Sequence, residues 1–571
     1  MLRTFTQHTV RPVDSLDGLW EFIGEADRND RARLPQRYNR TMSVPGSWES
    51  SPGLETYRGK AWYRRQIPGD QDMAVRLLFG GVSHTATVYV DGKSRHTHHG
   101  AYTPWDVLLT GLKEGQHELV LEVDNSFGEH TALHKEDDYY TYGGITRPVE
   151  IQLVPEAYIH SVKAVPAKRG NRWGLELAVK LANWSRRNHI RRVMVSLAGK
   201  HMDLGEVDLK AGGEKVITGV FQADDVKAWS AEQPTLYDLT VMLMDGYEVV
   251  DDLVDRVGFR TVKVQGRKLT VNGRGVRLRG YNRHEDHPQF GGSLPVEAMV
   301  RDLEILHDLG CNFVRACHCP NDMRFLDLCD EMGFYVWEDA HGRNLPLGAP
   351  GLREQVHAAT REMIDAHANH PAIILWGCLS DGESDSSDGR AMFESVIALI
   401  RKLDPTRPVT FAGDRGRRDM CLALVDVVSW NRYDAQGPGE PSQIAAALKA
   451  DLKWLHSDDS RGGKGKPVIV SEFGADAIYG HRSSNRARWS EEYQLDVLED
   501  CLGVYLNHPD IAGTAIARFA DGRVTDEFWT TRPRMANNKG TLDEFRRRKL
   551  AYEVVKARHL SNQRKYPRKS V

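Results

Sequence analysis

The chain has 571 residues, several times the roughly 100–200 residues of one domain, so we expect two to four domains. Its 76 basic and 79 acidic residues nearly balance, which gives no general attraction to nucleic acid or to a membrane surface. No apolar run approaches the ~18 residues of a membrane span, and the N-terminus lacks the apolar core of a secretory signal.

Short alternating segments with turn signals between them fill the first 260 residues. Examples are ATVYVDGK (86–93), HELVLEVDNS (117–126), ELAVKLAN (176–183) and YDLTVMLMDG (237–246). Asp91-Gly92 and Asp245-Gly246 are dipeptides typical of hairpin turns. This pattern predicts two β-sandwiches, over residues 1–155 and 156–263.

After Gly266 the pattern changes to buried strands that alternate with segments of helical length. Residues 295–310 and 322–333 have helical periodicity and close on Gly310 and Gly333. Eight apolar runs alternate with such segments over about 300 residues. The spacing predicts a (β/α)8 barrel over residues 264–571.

The active site of such a barrel lies at the carboxyl ends of its strands, where this chain has acids, histidines, arginines and aromatics. These strand-end residues are His284, Glu285, Asp286, Arg315, His318, Cys319, Glu338, Asp339, Ser380, Asp381, Glu383, Asp414, Asn431, Arg432, Tyr433, Glu472, Arg518 and Asp521. Such a set is typical of a sugar-processing pocket, although rings of acid also bind divalent metal.

A metal site is the weaker interpretation. His284 and His287 lack the four-residue spacing of a zinc helix. Cys317, His318 and Cys319 lie too close together for a two-by-two zinc site. We expect no metal and no cofactor. The seven cysteines have no framework spacing, which indicates reduced thiols and a cytoplasmic protein.

Two apolar strands deliver acids to the barrel mouth: 371-PAIILWGCLSDGES-384 ends near Asp381, and 466-KPVIVSEFGAD-476 carries Glu472. A retaining glycosidase uses two carboxyl groups roughly 5–5.5 Å apart, one as nucleophile and one as acid. The fourth and seventh strands face each other across the mouth, so this pair suits that chemistry. Barrel acids also pair with arginines for structural reasons, so spacing alone leaves both interpretations open.

The chain resembles glycoside hydrolase family 2, and within it the bacterial β-glucuronidases, over nearly its whole length. The matching stretches are LDGLW (16–20), SVPGSWE (43–49), GVSHTATVYVDGK (81–93), DYYTYGGITRPV (138–149), VGFRTVKV (257–264), GYNRHEDHP (280–288), NFVRACHCP (312–320), NHPAIILW (369–376), KPVIVSEFGAD (466–476) and ANNKG (536–540). The resemblance implies a jelly-roll sugar-binding-type domain, an immunoglobulin-like sandwich and a catalytic (β/α)8 TIM barrel.

The resemblance also implies roles for individual residues. It makes Glu472 the nucleophile. Asn537 and Lys539 match the Asn-x-Lys motif with which β-glucuronidases hold the C6 carboxylate, because an ammonium and an amide pair better with a carboxylate than with a neutral hydroxymethyl group. Further residues are expected at the sugar site: His284, His318, Asp138, Ser380, Asn431 and Tyr433.

Three departures from the family pattern stand out. Ser380-Asp381 replaces the usual Asn-Glu pair, so Asp381 is the expected acid/base, with Glu383 as the fallback. Ala517 and Arg518 stand where β-glucuronidases have Trp and Asn, which predicts a wider and more basic pocket in which Arg518 contacts substrate. The loop over residues 340–351 is short, which leaves the mouth uncovered.

The sequence therefore predicts a retaining exo-glycosidase that releases a terminal β-linked uronic acid, with β-glucuronic acid first, from an oligosaccharide or a bulky aglycone. The alternatives are a β-galacturonidase or a neutral-sugar β-glycosidase, and a carbohydrate-binding protein on a catalytically impaired barrel. Asp381 is one methylene shorter than glutamate, which keeps the last alternative open. We expect a carbohydrate substrate, no nucleic-acid or membrane partner, and a homo-oligomer.

Overall fold

The computed structural model describes residues 2–28, 30, 33–128, 131–433 and 441–565. Over these ranges the chain forms two β-sandwiches followed by a parallel barrel, as the sequence predicts. None of the described helices is both long and apolar enough to span a membrane.

The first domain is an antiparallel sandwich of a four-stranded sheet (β1-β12-β5-β9) and a six-stranded sheet (β3-β2-β4-β10-β7-β8), with the short pair β11-β6 beside them. Its strands are β1 (Val13–Ser15), β2 (Gly18–Gly24), β3 (Arg40–Val44), β4 (Lys60–Gly69), β5 (Ala74–Phe79), β6 (Val82–Ser83), β7 (Thr85–Val90), β8 (Lys93–His99), β9 (Trp105–Leu109), β10 (Gly115–Asp124), β11 (Gly144–Ile145) and β12 (Val149–Val154). The inward residues of both sheets, Trp20, Phe22 and Phe79 among them, form one core. Asp137 and Asp138, which precede β11, contact Arg343 and Arg532 of the third domain.

The second domain has a three-stranded sheet (β13-β14-β17) packed on a four-stranded sheet (β16-β15-β18-β19). The strands are β13 (Ala157–Arg169), β14 (Arg172–Asn183), β15 (His189–Leu197), β16 (Lys200–Leu209), β17 (Glu214–Ala223), β18 (Tyr237–Asp245) and β19 (Glu248–Val257). Seven strands in two antiparallel sheets are the immunoglobulin-like arrangement.

A small sheet of β20 (Val262–Gln265), β21 (Lys268–Val271) and β22 (Arg274–Gly275) leads into the barrel. Val262, Leu269 and Val271 belong to the core of the barrel rather than to that of the second sandwich. The sequence-based boundary at 263/264 falls inside β20.

The barrel strands run in parallel in the order β27-β26-β25-β24-β23-β31-β30-β29-β28. They are β23 (Leu278–Arg283), β24 (Phe313–Ala316), β25 (Tyr335–Asp339), β26 (Ile373–Gly377), β27 (Val409–Thr410), β28 (Ala412–Gly413), β29 (Val428–Asn431), β30 (Val468–Glu472) and β31 (Ile511–Ile516). Because β27 and β28 are two halves of one interrupted fifth strand, these nine segments make the eight predicted strands.

The described α-helices are α1 (Val296–Asp308), α2 (Met323–Met332), α3 (Leu352–His367), α4 (Ser387–Leu403), α5 (Pro441–Ser457), α6 (Glu491–Tyr505) and α7 (Ala551–Lys565). Helix α2 shows why local sequence signals were sufficient to predict the ends of a helix. The Asp322 side chain accepts a hydrogen bond from the backbone N–H of Arg324 at its start, and Gly333 ends it at φ 78°.

Beyond β31 the chain forms two small pairs of strands at the carboxyl end of the barrel. They are β32 (Arg518–Ala520) with β35 (Gly540–Leu542), and β33 (Gly522–Arg523) with β34 (Ala536–Asn537). These pairs hold the segment around Asn537 and Lys539 at the mouth.

Candidate active site

Glu472 ends β30 at the mouth of the barrel, and both of its carboxylate oxygens are held by donors. Arg315 Nη1 donates to Oε1 at 3.1 Å, and the Tyr433 hydroxyl donates to Oε2 at 2.9 Å. The Glu472 side chain is buried. A carboxylate that accepts hydrogen bonds at both oxygens has a fixed orientation, which a nucleophile needs in order to attack a bound carbon.

Asp381 lies in the turn after β26, with its backbone in the left-handed region at φ 48°. Aspartate tolerates this conformation better than most residues, and such turns are common at functional sites. The Asp381 carboxylate accepts hydrogen bonds from Asn431 Nδ2 at 2.7 Å and from Arg343 Nε at 3.0 Å. Its backbone N–H donates to the carbonyl of Ala412 at 3.0 Å, which ties the turn to β28.

The charge of Asp381 acts on the Glu472 carboxylate. Burial raises the pKa of Glu472, and the negative charge of Asp381 raises this pKa further. The guanidinium groups of Arg315 and Arg343 and the hydrogen bond from Tyr433 oppose this rise without cancelling it. Two buried acids close enough to interact, each with its own partners, can take different roles in one reaction.

Ser380 and Glu383 occupy very different positions. Ser380 Oγ accepts a hydrogen bond from Arg315 Nη2 at 2.7 Å and donates one to Asp339 Oδ2 at 3.1 Å. Its proton is thus engaged, and only an acceptor lone pair remains for a sugar hydroxyl. The Glu383 side chain is exposed and makes no hydrogen bond or ion pair with a site residue in the described part of the chain.

His318 and His284 pack edge to face near Glu472, beside Tyr139 of the first domain. The two imidazole rings lie 5.3 Å apart, and the Tyr139 ring lies 5.8 Å from each. His318 Nε2 is 4.0 Å from Glu472 Oε1, too far for a hydrogen bond. Burial lowers the pKa of both histidines well below the usual value, and nearby arginines add to the effect. Both rings are therefore neutral near pH 7.

His284, Cys317 and His318 can bring ligand atoms within 4.8 Å of one another, a grouping that the sequence spacing did not reveal. The charges of Arg315, Arg343 and Arg518, which lower the pKa of both imidazoles, would also repel a metal cation. Burial raises the pKa of the Cys317 thiol to about 12, which disfavours the thiolate that a metal needs. The nearby positive charges and the high pKa of this thiol both disfavour a metal ion at these three side chains.

A second cluster joins the first domain to the loops beyond β31; we call it the clamp and define it as Asp138, Asp476, Arg532, Asn537 and Lys539. Asn537 Nδ2 donates to Asp138 Oδ2 at 2.9 Å, and Arg532 Nε donates to Asp138 Oδ1 at 2.9 Å. Arg532 Nη1 also reaches Asp476 Oδ1 at 3.4 Å. The clamp thus brings together the three predicted residues Asp138, Asn537 and Lys539.

Lys539 has unused hydrogen-bonding capacity. Its Nζ lies 3.7 Å from Asp476 Oδ2, too far for a hydrogen bond, and 5.7 Å from the centre of the Tyr433 ring. Within the described residues this ammonium donates no hydrogen bond. Burial lowers the pKa of Lys539, while Asp476 counteracts the shift. An incoming carboxylate would supply both the missing acceptor and a compensating charge.

Arg518 is buried at the rim, as its position after the eighth strand suggests, and two protein groups lie near its guanidinium. Arg518 Nη2 lies 3.8 Å from Asp286 Oδ2, and Nη1 donates to the backbone carbonyl of Asp138 at 3.5 Å. The positive charge of Arg518 contributes to the lowered pKa of His284 and of His318.

The prediction from sequence missed Arg343, Asp137, Asp476 and Arg532. Arg343 pairs with both Asp381 and Asp137, so it links the acid of the fourth strand to the first domain. Arg343 follows the third barrel strand. Its position at the carboxyl end of that strand was the one feature of the sequence that could have identified it as a site residue. Asp137 and Arg532 lie far from the barrel strands in sequence, so no local pattern marks them.

Buried, interacting carboxylates at the mouth of a (β/α)8 barrel, with a clamp of polar side chains beside them, define a glycoside hydrolase. Three family descriptions match in succession: "Glycosyl hydrolases family 2, sugar binding domain" over residues 13–155, "Glycosyl hydrolases family 2" over 157–260, and "Glycosyl hydrolases family 2, TIM barrel domain" over 262–528. The chain belongs to glycosyl hydrolase family 2.

Individual relatives resemble the whole chain. A crystal structure of a family 2 β-galacturonidase from Eisenbergiella tayi bound to galacturonate is 39% identical, covers 98% of this chain and 99% of its own, and superposes with a TM-score of 0.91. A β-D-glucuronidase structure for Dictyoglomus thermophilum is 26% identical over 96% of this chain and 97% of its own, with a TM-score of 0.81. The β-glucuronidase of Mus musculus is 26% identical, covering 96% of this chain and 91% of its own.

Proposed function

We propose that the protein is a retaining, exo-acting β-hexuronidase that removes a terminal uronic acid from a carbohydrate. Glu472 is the nucleophile and Asp381 the acid/base. The clamp holds the C6 carboxylate, and the histidines beside Glu472 contact the sugar ring.

The observation that carries this proposal is the state of Lys539. The Lys539 side chain is 14% exposed, and its ammonium, next to the Asn537 amide, has hydrogen-bond donors available for a ligand. A uronate offers two anionic oxygens at the position where a neutral hexose has one hydroxyl. The clamp therefore favours uronic acids over neutral sugars.

The preferred sugar is galacturonic acid, with glucuronic acid as the second candidate. The sequence pattern alone ranks glucuronic acid first. The β-galacturonidase from Eisenbergiella tayi, whose structure was solved with galacturonate bound, is 39% identical over nearly the whole chain, against 26% for the glucuronidase structure for Dictyoglomus thermophilum. This difference supports the galacturonidase alternative.

The proposed reaction has two steps. Glu472 attacks the anomeric carbon while Asp381 protonates the departing glycosidic oxygen, and a covalent glycosyl-enzyme forms. Asp381, now a carboxylate, takes a proton from water, and the resulting hydroxide displaces Glu472 with net retention. A protonated carboxyl keeps acceptor capacity, so Arg343 or Asn431 can hold one Asp381 oxygen while the other carries the proton.

A panel of 4-nitrophenyl β-glycosides tests the proposal. The galacturonide, glucuronide, galactoside and glucoside would be assayed with pure protein, and the anomer of the first product would be read by NMR. We expect the highest kcat/KM with the galacturonide and a β-configured product. Preference for a neutral sugar would refute the role of the clamp, and absence of turnover throughout would return the impaired-barrel alternative. The cytoplasmic location and the homo-oligomer remain predictions from sequence.

A further inference from the structure

Three polar side chains lie on the buried side of the clamp, and we call them the brace: Gln494, Asp521 and Lys549. Gln494 is on α6, whereas Lys549 lies between β35 and α7. All three are at most 2% exposed, so they are closed off from a sugar in the mouth. We propose that the brace positions the clamp for the uronate and thereby sets the preference for uronic acids. The inference rests on the proposed function and extends it to residues that the substrate does not contact.

The clamp draws on two segments that are distant in the sequence, residues 475–477 and residues 537–540, which we call the clamp segments. Each carries a charged side chain of the clamp: Asp476 in the first and Lys539 in the second. The segments meet where the Ala477 N–H donates to the Asn538 carbonyl at 2.9 Å. A backbone contact at one point can act as a hinge, so further ties are needed to fix the angle between the segments.

Gln494 ties the two clamp segments together through its amide nitrogen. Nε2 donates to the carbonyls of Ala475 at 2.9 Å, Gly540 at 3.0 Å and Lys539 at 3.4 Å. Because all three acceptors are carbonyl oxygens, the nitrogen rather than the oxygen of the amide must face them. Oε1 of Gln494 has no hydrogen-bond partner among the described residues, so donation is what this amide contributes.

Lys549 makes a second tie between the same segments. Its Nζ donates to the carbonyl of Ala477 at 2.6 Å, to that of Asn538 at 3.1 Å and to Asp521 Oδ1 at 2.7 Å. The same oxygen of Asp521 also accepts the N–H of Gly540 at 3.0 Å. The three donors of the ammonium thus have three acceptors, and its buried charge is paired. Asp521, an acid at the end of the eighth strand, therefore serves the brace rather than the sugar.

The brace also relates the clamp to the nucleophile. Ala475 follows Glu472 by three positions, so the first clamp segment continues directly from β30. A bound uronide must meet Glu472 with its anomeric carbon and Lys539 with its C6 carboxylate in the same pose. The separation of the clamp segments decides whether both contacts form at once, and a displacement of about 1 Å is enough to weaken one of them.

A positioning role and a purely structural role predict different results. If the brace only stabilises the fold, its loss lowers stability and affects every substrate and every background alike. If the brace positions the clamp, its loss acts through Lys539 and disappears when Lys539 is absent. A double-mutant cycle separates the two roles, because groups that act through one another have non-additive effects.

Gln494→Met keeps the length of the side chain and removes its donors. We expect KM for the preferred 4-nitrophenyl uronide to rise by about 10-fold and kcat to change by less than about 3-fold, because the groups that break the bond stay in place. In the Lys539→Met background the same substitution should change kcat/KM by no more than about two-fold, because the ammonium through which Gln494 acts is missing.

Two further variants control for the substitution and for stability. Gln443→Met makes the same exchange at an exposed position of α5 and should match the wild type. Val497→Ala weakens α6 at a buried apolar position and removes no hydrogen bond. It should lower the midpoint of thermal unfolding and leave KM unchanged.

Amide hydrogen exchange of the wild-type protein tests the brace without relying on the folding of a variant. The probe is free galacturonate, or glucuronate if the glycoside panel ranks it first, with galactose as the neutral control. The uronate should slow exchange in the clamp segments and also in residues 492–495 and 549–550, which contain Gln494 and Lys549, because coupling between the clamp and the brace is reciprocal. Galactose should slow neither. Protection confined to the clamp segments would overturn the brace.

The inference is also overturned if KM is unchanged in Gln494→Met, if the loss is equally large in the Lys539→Met background, or if Val497→Ala raises KM as much. If Gln494→Met does not fold, the exchange measurement decides. A loss on uronides in Lys539→Met without one in Gln494→Met refutes only the brace. If Lys539→Met cleaves uronides as well as the wild type does, or the wild type cleaves none, the proposed function fails, and the brace fails with it.

Discussion

The residues that would break the bond lie at or just beyond the ends of barrel strands, whereas the residues that would recognise the uronate come from loops of two domains. Glu472 ends β30, and Asp381 follows β26 by four residues. Asp138 reaches the clamp from the first domain, and Lys539 follows β34 beyond the last barrel strand. Glu472 and Asp381 are buried, whereas Asp138 and Lys539 are partly exposed, and only the first pair is anchored directly to the parallel sheet.

Because the two sets of residues are anchored differently, a barrel of this kind can keep its catalytic residues while the residues that select the sugar change. Strand ends are fixed by the hydrogen bonds of the sheet, and two arginines, Arg315 and Arg343, set the charge around the acids. The clamp depends instead on ion pairs across a domain boundary, such as Arg532 with Asp138. Substitutions in the two regions should therefore have separable effects on the rate of reaction and on the choice of sugar.

The largest expected effect is that of Glu472→Gln. The variant keeps the shape of the side chain but removes the nucleophile, so turnover of every substrate should fall by about 10⁴-fold or more. Initial rates on nitrophenyl and methyl uronides would measure it, with thermal unfolding to verify the fold. A variant that retains substantial activity on any uronide would show that another group attacks the sugar.

Asp381→Asn should have a large effect that depends on the leaving group. Cleavage of a methyl uronide should fall by about 10²- to 10⁴-fold, because its basic oxygen needs an acid. Formation of the glycosyl-enzyme from a nitrophenyl uronide should be nearly normal, and azide should rescue its turnover because azide needs no general base.

The matched control for Asp381 is Glu383→Gln, in the same turn but exposed, which should change kcat/KM by no more than about two-fold. If the Glu383 variant shows the leaving-group dependence and the Asp381 variant does not, the acid lies two residues further along the chain.

Lys539→Met tests the other region. Loss of a buried charge pair with the uronate should cost about 2–4 kcal/mol, or roughly 30- to 1000-fold in kcat/KM on uronides. Any activity on neutral glycosides should be unchanged, since the bond-breaking residues are untouched. Lys464→Met, an exposed lysine paired with Asp459, is the control and should match the wild type. A uniform loss on all sugars would mean that Lys539 supports the fold rather than selectivity.

The smallest effect concerns Arg343 and appears in the pH profile. The positive charge of Arg343 lowers the pKa of Glu472, so Arg343→Met should raise that pKa further. Because the nucleophile must be ionised, the acidic limb of kcat/KM should move to higher pH. Arg343→Lys keeps the charge and should leave the limb near its wild-type position. A limb that does not move in Arg343→Met would show that this charge does not act on the nucleophile.

Particular residues show how far the sequence could be read. Asp322 and Gly333 marked both ends of α2, because capping is local chemistry between neighbours in the chain. Glu472 could be predicted from the sequence for a similar reason: an apolar run that ends in an acid indicates the mouth of a barrel. Ser380 and Glu383 were visible as strand-end residues, but only packing shows that one is engaged by Arg315 and Asp339 and the other is exposed.

The sequence by itself determined the three-part architecture, the barrel and its family, because periodicity, caps and motif stretches act over a few residues. The tertiary structure decided which distant groups meet. Arg343 lies 206 residues from Asp137, and Arg532 lies 394 residues from Asp138, yet each pair is in contact. No local pattern encodes such pairings, because they follow from how the first domain docks on the barrel. The charge around Asp381 and the unused donors of Lys539 both depend on that docking.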